Sequence, residues 1–296
     1  MSERPPIPSE IQREVRQRCG FGCVVCGLPI YEYEHRLEWA EVKRHVADEI
    51  TLLCRQHHGE KTHNLLPKEN VIEANKNPYN KREGVSKSYM LHYSGDGVTV
   101  KLGDNIFSYT GMLEGYEFAP LVIDGVPIIK FRRSQNNLLL SFLACDENNK
   151  VFLEIVDNEI VFSAGQWDAE WVGQALTIRE SHKKILLKLR FNPPNEIFVS
   201  KGRILRNGVE LMVAEDYLFL TNSACVYGGN KTRNCQVGIS IGHPIFDCGI
   251  AMSIPDVPRY LFDRTAARRY LRKFQSKKRI DQRLRATDGR IQHEEI

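Results

Sequence analysis

Two short pairs of metal-ligand residues constrain this chain more than any other feature. Cys23 and Cys26 form a C-x2-C turn. Cys54 and His57 repeat the x2 spacing after 27 intervening residues. Structural zinc takes four Cys or His ligands in a tetrahedron, and two such pairs supply them. Cys54 and His57, at i and i+3 of one helical turn, share a face. A C-x3-H arrangement through His58 is the alternative, but the match to the first pair favours His57. That choice turns His58 about 100° away, onto another face of the helix.

The compartment matters to this reading, because the chain has eight cysteines. The opening "MSERPPIPSE" lacks the apolar core of a secretory signal. A reducing, cytoplasmic setting is therefore expected, where clustered cysteines bind metal more often than they form disulfides. Cys19, Cys145, Cys225, Cys235 and Cys248 are scattered and read as small buried hydrophobes. A hydrophobic fraction of 42% and a charged fraction of 26% are ordinary for a soluble protein. The longest apolar runs are too short to span a bilayer, so no membrane partner is expected.

The 296 residues suggest about two domains. Residues 1–82 hold the metal pairs. A helix is expected over 9–18, with Ser9 and Gln12 as a capping box, Ile11 and Val15 as its apolar pair, and Gly20 as its stop. "CVVCG" reads as a tight turn closed by Gly27, and "YEYEHRLEW" as a strand running into a loop. "ITLLCRQHHGEKTHNLL" reads as a short apolar stretch followed by a helix. "KENVIEANKNPYNKREG" extends the helical part and ends in a polar linker. From residue 83 to 255, short apolar runs alternate with turn signals such as "DG", "NG" and "NPP", which predicts a β-rich, sandwich-like domain. Within it, "WDAEW" (Trp167 to Trp171) and "YGGNKTRNC" (Tyr227 to Cys235) are candidate binding surfaces, with buried aromatics and an ordinary loop as the plainer alternative. Residues 256–296 predict a basic helix and tail, with Leu261, Ala266, Tyr270 and Phe274 as its apolar stripe. The expected fold class is therefore α+β.

Charge is uneven along the chain. Residues 1–80 carry 11 Lys and Arg against 12 Asp and Glu, whereas residues 259–296 carry 12 against 5. A basic C-terminal helix can neutralise phosphates, and a solvated amphipathic helix explains the charge equally well.

The insert between the metal pairs holds Glu34 and His35. Neighbours on a strand point to opposite faces, so one shared site needs a local bend. Joined by His58, they make a carboxylate with two imidazoles, a set suited to phosphodiester hydrolysis. One imidazole deprotonates water, and the other groups hold a divalent ion against the phosphate. His45 and His63 read as solvated loop or surface residues, with phosphate contact or help to the metal as the alternative for His63, whereas for Arg55 and Lys61 phosphate contact and a solvated helix face explain the sequence about equally.

The order Cys23-x2-Cys26, Glu34-His35, Glu49, Cys54-x2-His57-His58 and Lys61 resembles the HNH endonuclease family over about residues 9–80. The resemblance implies a small zinc-stapled ββα-metal fold. It implies structural Zn2+ on Cys23, Cys26, Cys54 and His57, and a catalytic Mg2+ or Mn2+ on Glu34 and His58. It makes His35 the general base and puts Glu49 at the catalytic position where the family carries Asn. It implies cleavage of double-stranded DNA to a 5′-phosphate and a 3′-hydroxyl, and restriction or anti-phage defence is the setting suggested by analogy. A zinc module that binds nucleic acid without cutting it, or a ligand-gated or RNA-directed nuclease, are the alternatives. Self-association is left open.

Overall fold

The computed structural model describes residues 5–36, 42–243, 248–263, 269 and 272. The protein is mixed α+β, mostly β-sheet with few helices. Among the described residues, no helix is long and apolar enough to cross a membrane.

The N-terminal part begins with helix α1, Ser9–Cys19. Its expected capping box is not made. The N-cap is Pro8, and Gln12 donates from its side-chain amide to the Ile7 carbonyl at 3.0 Å. Pro8 cannot donate a backbone hydrogen bond and its ring fixes φ at −56°, so it starts the helix without help from Ser9. Gly20 closes the helix at φ 70°, as its sequence position predicts. Next comes a two-stranded antiparallel ribbon of β1, Glu32–His35, and β2, Ile50–Leu53, with Glu34 opposite Thr51 and His35 opposite Ile50. Helix α2, Arg55–Thr62, follows directly on β2 with Cys54 as its N-cap. Helices α3, Lys68–Lys76, and α4, Tyr79–Glu83, complete this part. They share a compact core that includes Val15, Val24, Ile50, Leu52, Leu53 and Val71.

The segment read as a polar linker is ordered. Pro78 starts α4 and Gly84 ends it at φ 75°. Beyond it, Ser86 donates its amide to the Phe162 carbonyl at 2.8 Å, and Leu91 donates to Asn158 at 2.9 Å. The chain is thus laced into the β-rich part as soon as it leaves α4.

Strands from Tyr89–Met90 to Ile250–Ile254 form an eight-stranded and a ten-stranded sheet. Both contribute to one apolar core, with Phe131, Leu140 and Ile155 from the first and Ile178, Leu187, Val199 and Leu211 from the second. Alternating burial along Asn137–Cys145 and Val98–Leu102 is the period-2 pattern of a strand with one face inward. The long strand Glu196–Arg206 changes partner along its length. Its first half pairs in parallel with Val98–Leu102 and its second half pairs with Val209–Ala214. Gly202 sits at the changeover with φ 144°, and a Cβ there would lie 2.5 Å from the Leu186 carbonyl oxygen. Only glycine fits both demands.

The basic C-terminal helix lies almost wholly outside the described residues, as do Ala266, Tyr270 and Phe274. Leu261, the described member of its expected stripe, is exposed. Of the cysteines read as buried, Cys19 and Cys145 are, but Cys225 is exposed and Cys235 and Cys248 are half-buried.

The "WDAEW" segment joins the two parts. Asp168 and Glu170, two residues apart, lie on one face of their strand and point at α1. Arg16 makes a bidentate pair with Asp168 at 2.9 Å and 2.9 Å, and reaches Glu170 at 2.9 Å. Arg179, the cross-strand partner of Asp168, binds the same two carboxylates at 2.8 and 2.9 Å. Arg16 is 3% exposed and Asp168 fully buried. Burial is the largest single influence and opposes the Arg16 charge, but the hydrogen bond to Asp168 and the charges of Tyr33, Asp168 and Tyr31 together outweigh it, so the guanidinium is held charged more firmly than usual. Trp167 adds an Arg13 guanidinium 5.2 Å from its ring centroid and accepts a 2.7 Å bond from Gln17. Trp171 stacks on Phe191. These aromatics and acids form an internal joint rather than an outward binding surface.

Removing one member of a buried ion pair strands the other. Asp168→Ala is expected to destabilise the protein by about 3–5 kcal/mol in urea denaturation. Arg16→Met with Asp168→Leu leaves Arg179 paired with Glu170, so the double variant should lose less than the single one.

Candidate metal centre and adjoining site

The metal cluster forms where three pieces of chain meet. Cys23 and Cys26 lie on the turn after α1, Cys54 ends β2 and caps α2, and His57 stands one turn into α2. The turn is fixed by its own hydrogen bonds, Gly27 to the Cys23 carbonyl at 2.7 Å and Cys23 to the Leu28 carbonyl at 2.9 Å. Gly27 has φ 78°, and a Cβ there would collide with Tyr79 and Asn80 of α4. The Tyr79 amide donates to Val24 at 3.0 Å, and the buried Asn80 side chain donates to Gly20 at 2.8 Å. Helix α4 therefore braces the cysteine turn from behind.

The ligand atoms of Cys23, Cys26, Cys54 and His57 all lie within 4.8 Å of one another. His57 Nδ1 is 3.4 Å from Cys23 Sγ and 3.2 Å from Cys54 Sγ, and Cys26 Sγ is 3.8 Å from Cys54 Sγ. Zinc bonds of about 2.3 Å to sulfur and 2.0–2.1 Å to nitrogen give tetrahedral edges of roughly 3.5–3.8 Å. The donor set and its spacing fit a metal ion such as zinc. His57, rather than His58, is the histidine in the cluster. Its Nε2 lies 3.9 Å from Glu60, a carboxylate placed to orient the ring.

The thiols couple to each other. A hydrogen bond with Cys26 and then burial push the Cys23 thiol up. The same bond pulls Cys26 down, and burial raises Cys54. A metal entering here must displace protons, so its affinity falls as pH falls.

His58 leaves α2 on a different side. Its Nε2 is 2.9 Å from Glu34 Oε2, and its Nδ1 is 3.7 Å from Glu32. Lys61, one turn on, donates to the other oxygen of Glu34. Its side chain is only 10% exposed, so it is a paired, half-buried cation and not a residue of a solvated helix face. The 2.9 Å separation of His58 Nε2 and Glu34 Oε2 is that of a hydrogen-bonded imidazole–carboxylate pair. Among the described residues, the Cys/His group is the one metal-type cluster of three or more, and Glu34 with His58 is a pair.

His35 leads to a second group. It is buried, and its Nε2 lies 3.2 Å from His45 Nδ1. His45 Nε2 lies 2.9 Å from the Pro5 carbonyl oxygen. His45 is thus half-buried and engaged, where its loop position suggested a solvated residue. The Glu49 amide and carbonyl serve the backbone, the carbonyl accepting from Arg36 at 2.8 Å. The Glu49 carboxylate accepts from Arg44 Nε at 3.2 Å and from Arg44 Nη2. That bond holds the Glu49 carboxyl below the usual range, and the nearby His35 and Arg36 add to the effect. The structure therefore joins Glu34 to His58 and His35 to His45. Glu34 and His35 lie next to each other at the end of β1, and residues 37–41 beyond them lie outside the described set. His63 is exposed, and Arg55 lies 3.5 Å from Glu32, the carboxylate whose other oxygen is 3.7 Å from His58. His45 and Arg44 carried no spacing signal, since the loop that brings them back has no periodic pattern.

Compared with known protein families, curated proteins and solved structures, the chain matches none.

The purified protein is expected to carry one thiophilic divalent ion per chain by elemental analysis. Cys23→Ser should lose it and lower the melting temperature, and a chelator should unfold the N-terminal part first, because binding energy at such a site is folding energy. Full metal content in Cys23→Ser would remove Cys23 from the ligand set.

Proposed function

We propose that the protein is a metal-dependent endonuclease of the HNH type, with structural zinc on Cys23, Cys26, Cys54 and His57. The observation that carries this reading is the pairing of Glu34 Oε2 with His58 Nε2 at 2.9 Å beside His35, on the ribbon and helix whose junction supplies Cys54 and His57 of the Cys/His cluster. The order of β1, β2 and α2 supports it, as does the division of labour between His57 and His58.

In this reading Glu34 and His58 hold a divalent ion such as Mg2+ or Mn2+, which supplies neutralisation of the phosphate and of the departing oxygen. Lys61 fixes the Glu34 carboxylate so that one oxygen is committed to the ammonium and the other faces His58. His35 takes a proton from the attacking water. The water oxygen bonds to phosphorus, the bond from phosphorus to O3′ breaks, and O3′ takes a proton from solvent. The products are a 5′-phosphate and a 3′-hydroxyl. Duplex DNA is the substrate class implied by the resemblance. The excess of Lys and Arg over residues 259–296 supports a phosphate-rich partner.

A second reading, a zinc module that binds nucleic acid without cutting, draws on Lys61. Its ammonium already gives Glu34 a cation from the chain itself.

Supercoiled plasmid incubated with the protein and Mg2+ or Mn2+ should be nicked. His35→Ala should slow nicking by roughly 10²–10⁴-fold, the usual contribution of a general base. Glu34→Ala and His58→Ala should lose it while keeping the zinc. Binding without cleavage with either ion would replace the nuclease by the second reading, and cleavage of a transcript but not of plasmid would move the substrate to RNA.

A further inference from the structure

The Glu49 carboxylate, at the position where the HNH pattern has Asn, is engaged by Arg44. The ring next to His35 is that of His45. The two ring centroids are 5.3 Å apart, tilted by 51°. Donor and acceptor roles follow along this series of contacts. The Pro5 carbonyl can only accept, so His45 Nε2, 2.9 Å away, carries a proton. A neutral imidazole protonated at Nε2 has its lone pair at Nδ1. With both rings neutral, His45 Nδ1 accepts and His35 Nε2, 3.2 Å away, donates. This fixes the lone pair of neutral His35 at Nδ1.

We infer that His45 is a positioning residue that selects the tautomer and ring orientation of His35, a role built from the Pro5–His45–His35 series of contacts. Arg44, the preceding residue, is tied to Glu49, and Glu49 borders β2. Glu49 thus acts at one remove, by anchoring the backbone that presents His45. When His35 Nδ1 takes a proton from water, Nε2–H goes on donating to His45, so no second proton moves.

The role rests on the nuclease reading only for its catalytic consequence, since the tautomer itself is read without activity. The test uses the full-length, metal-loaded protein with ¹⁵N-labelled histidine, at about pH 8.5, well above the usual imidazole range. His35 is assigned by the signal lost in His35→Gln. In wild type its ring nitrogens should report a proton on Nε2. His45→Leu should abolish that preference and lower kcat by about 10–100-fold with KM unchanged, the range seen for partners that orient a site residue. His45→Asn keeps an acceptor oxygen close to where Nδ1 stood, and should restore both the tautomer and most of kcat. A wild-type His35 protonated at Nδ1 overturns the inference. So does a His45→Leu variant that keeps the wild-type tautomer, whatever its kcat. A wild type that does not cut nucleic acid removes the nuclease reading, and the ring signals still decide the role of His45.

Discussion

The convergence of Cys23, Cys26, Cys54 and His57 on one point is the constraint on which the N-terminal part depends. Its apolar core is small, and a core of that size holds little net stability once chain entropy is subtracted. A metal ion held by three thiolates and an imidazole at this spacing would offset this by tying the turn after α1 to the junction of β2 and α2. They also set the rotation of α2 about its axis. With His57 committed to the cluster, His58 is turned to β1 and meets Glu34. A change in the metal cluster is therefore felt at the Glu34–His58 pair through a single residue step on one helix.

The second constraint is the buried charge at the joint. Arg16 and Arg179 share Asp168 and Glu170, a set with no net charge and every carboxylate oxygen engaged. Such a set adds little stability compared with apolar residues of the same size, and its value lies in allowing one arrangement only. Arg16 also donates to the Tyr33 hydroxyl at 2.8 Å, and Tyr33 precedes Glu34 on β1. The β-rich part thus fixes α1, and through Arg16 it fixes the strand that carries Glu34 and His35. This gives the large part a structural task toward the site, separate from any contact with a ligand.

What the sequence revealed follows from how local each signal is. The Cys/His pairs were legible because residue identity and x2 spacing determine ligand geometry with little regard to the rest of the chain. The β character from about residue 88 to 255 was legible because alternation is a short-range pattern. The order of strands was not, because it depends on pairings such as that of Val237–Ile241 with Glu117–Ile123, far apart in sequence and parallel. The Arg16–Asp168 pair spans 152 positions, and an arginine on a helix reads as solvated until its partner is known. Pro8 in place of Ser9 as the cap of α1 is a local miss, since two competing local rules applied and the fixed φ of proline won.

His45 shows the same limit at the site. The family resemblance grouped His35, Glu34 and Glu49 as a set, and the residues between them read as a loop. Yet a loop is where a side chain can be brought back without obeying helix or strand period. The Arg44–Glu49 pair closes that loop over five residues, and His45 is carried inward by its neighbour's tether. Under the proposed resemblance, position 49 holds a carboxylate where an amide is expected, and the two differ in what they can do. An ionised carboxylate cannot donate to a carbonyl, but it can hold a guanidinium. In the proposed reading, a carboxylate at position 49 is compatible with an oriented His35, because His45, the neighbour of the arginine that Glu49 holds, places its imidazole beside that ring. Position 49 is then read by what it holds rather than by the family letter it lacks.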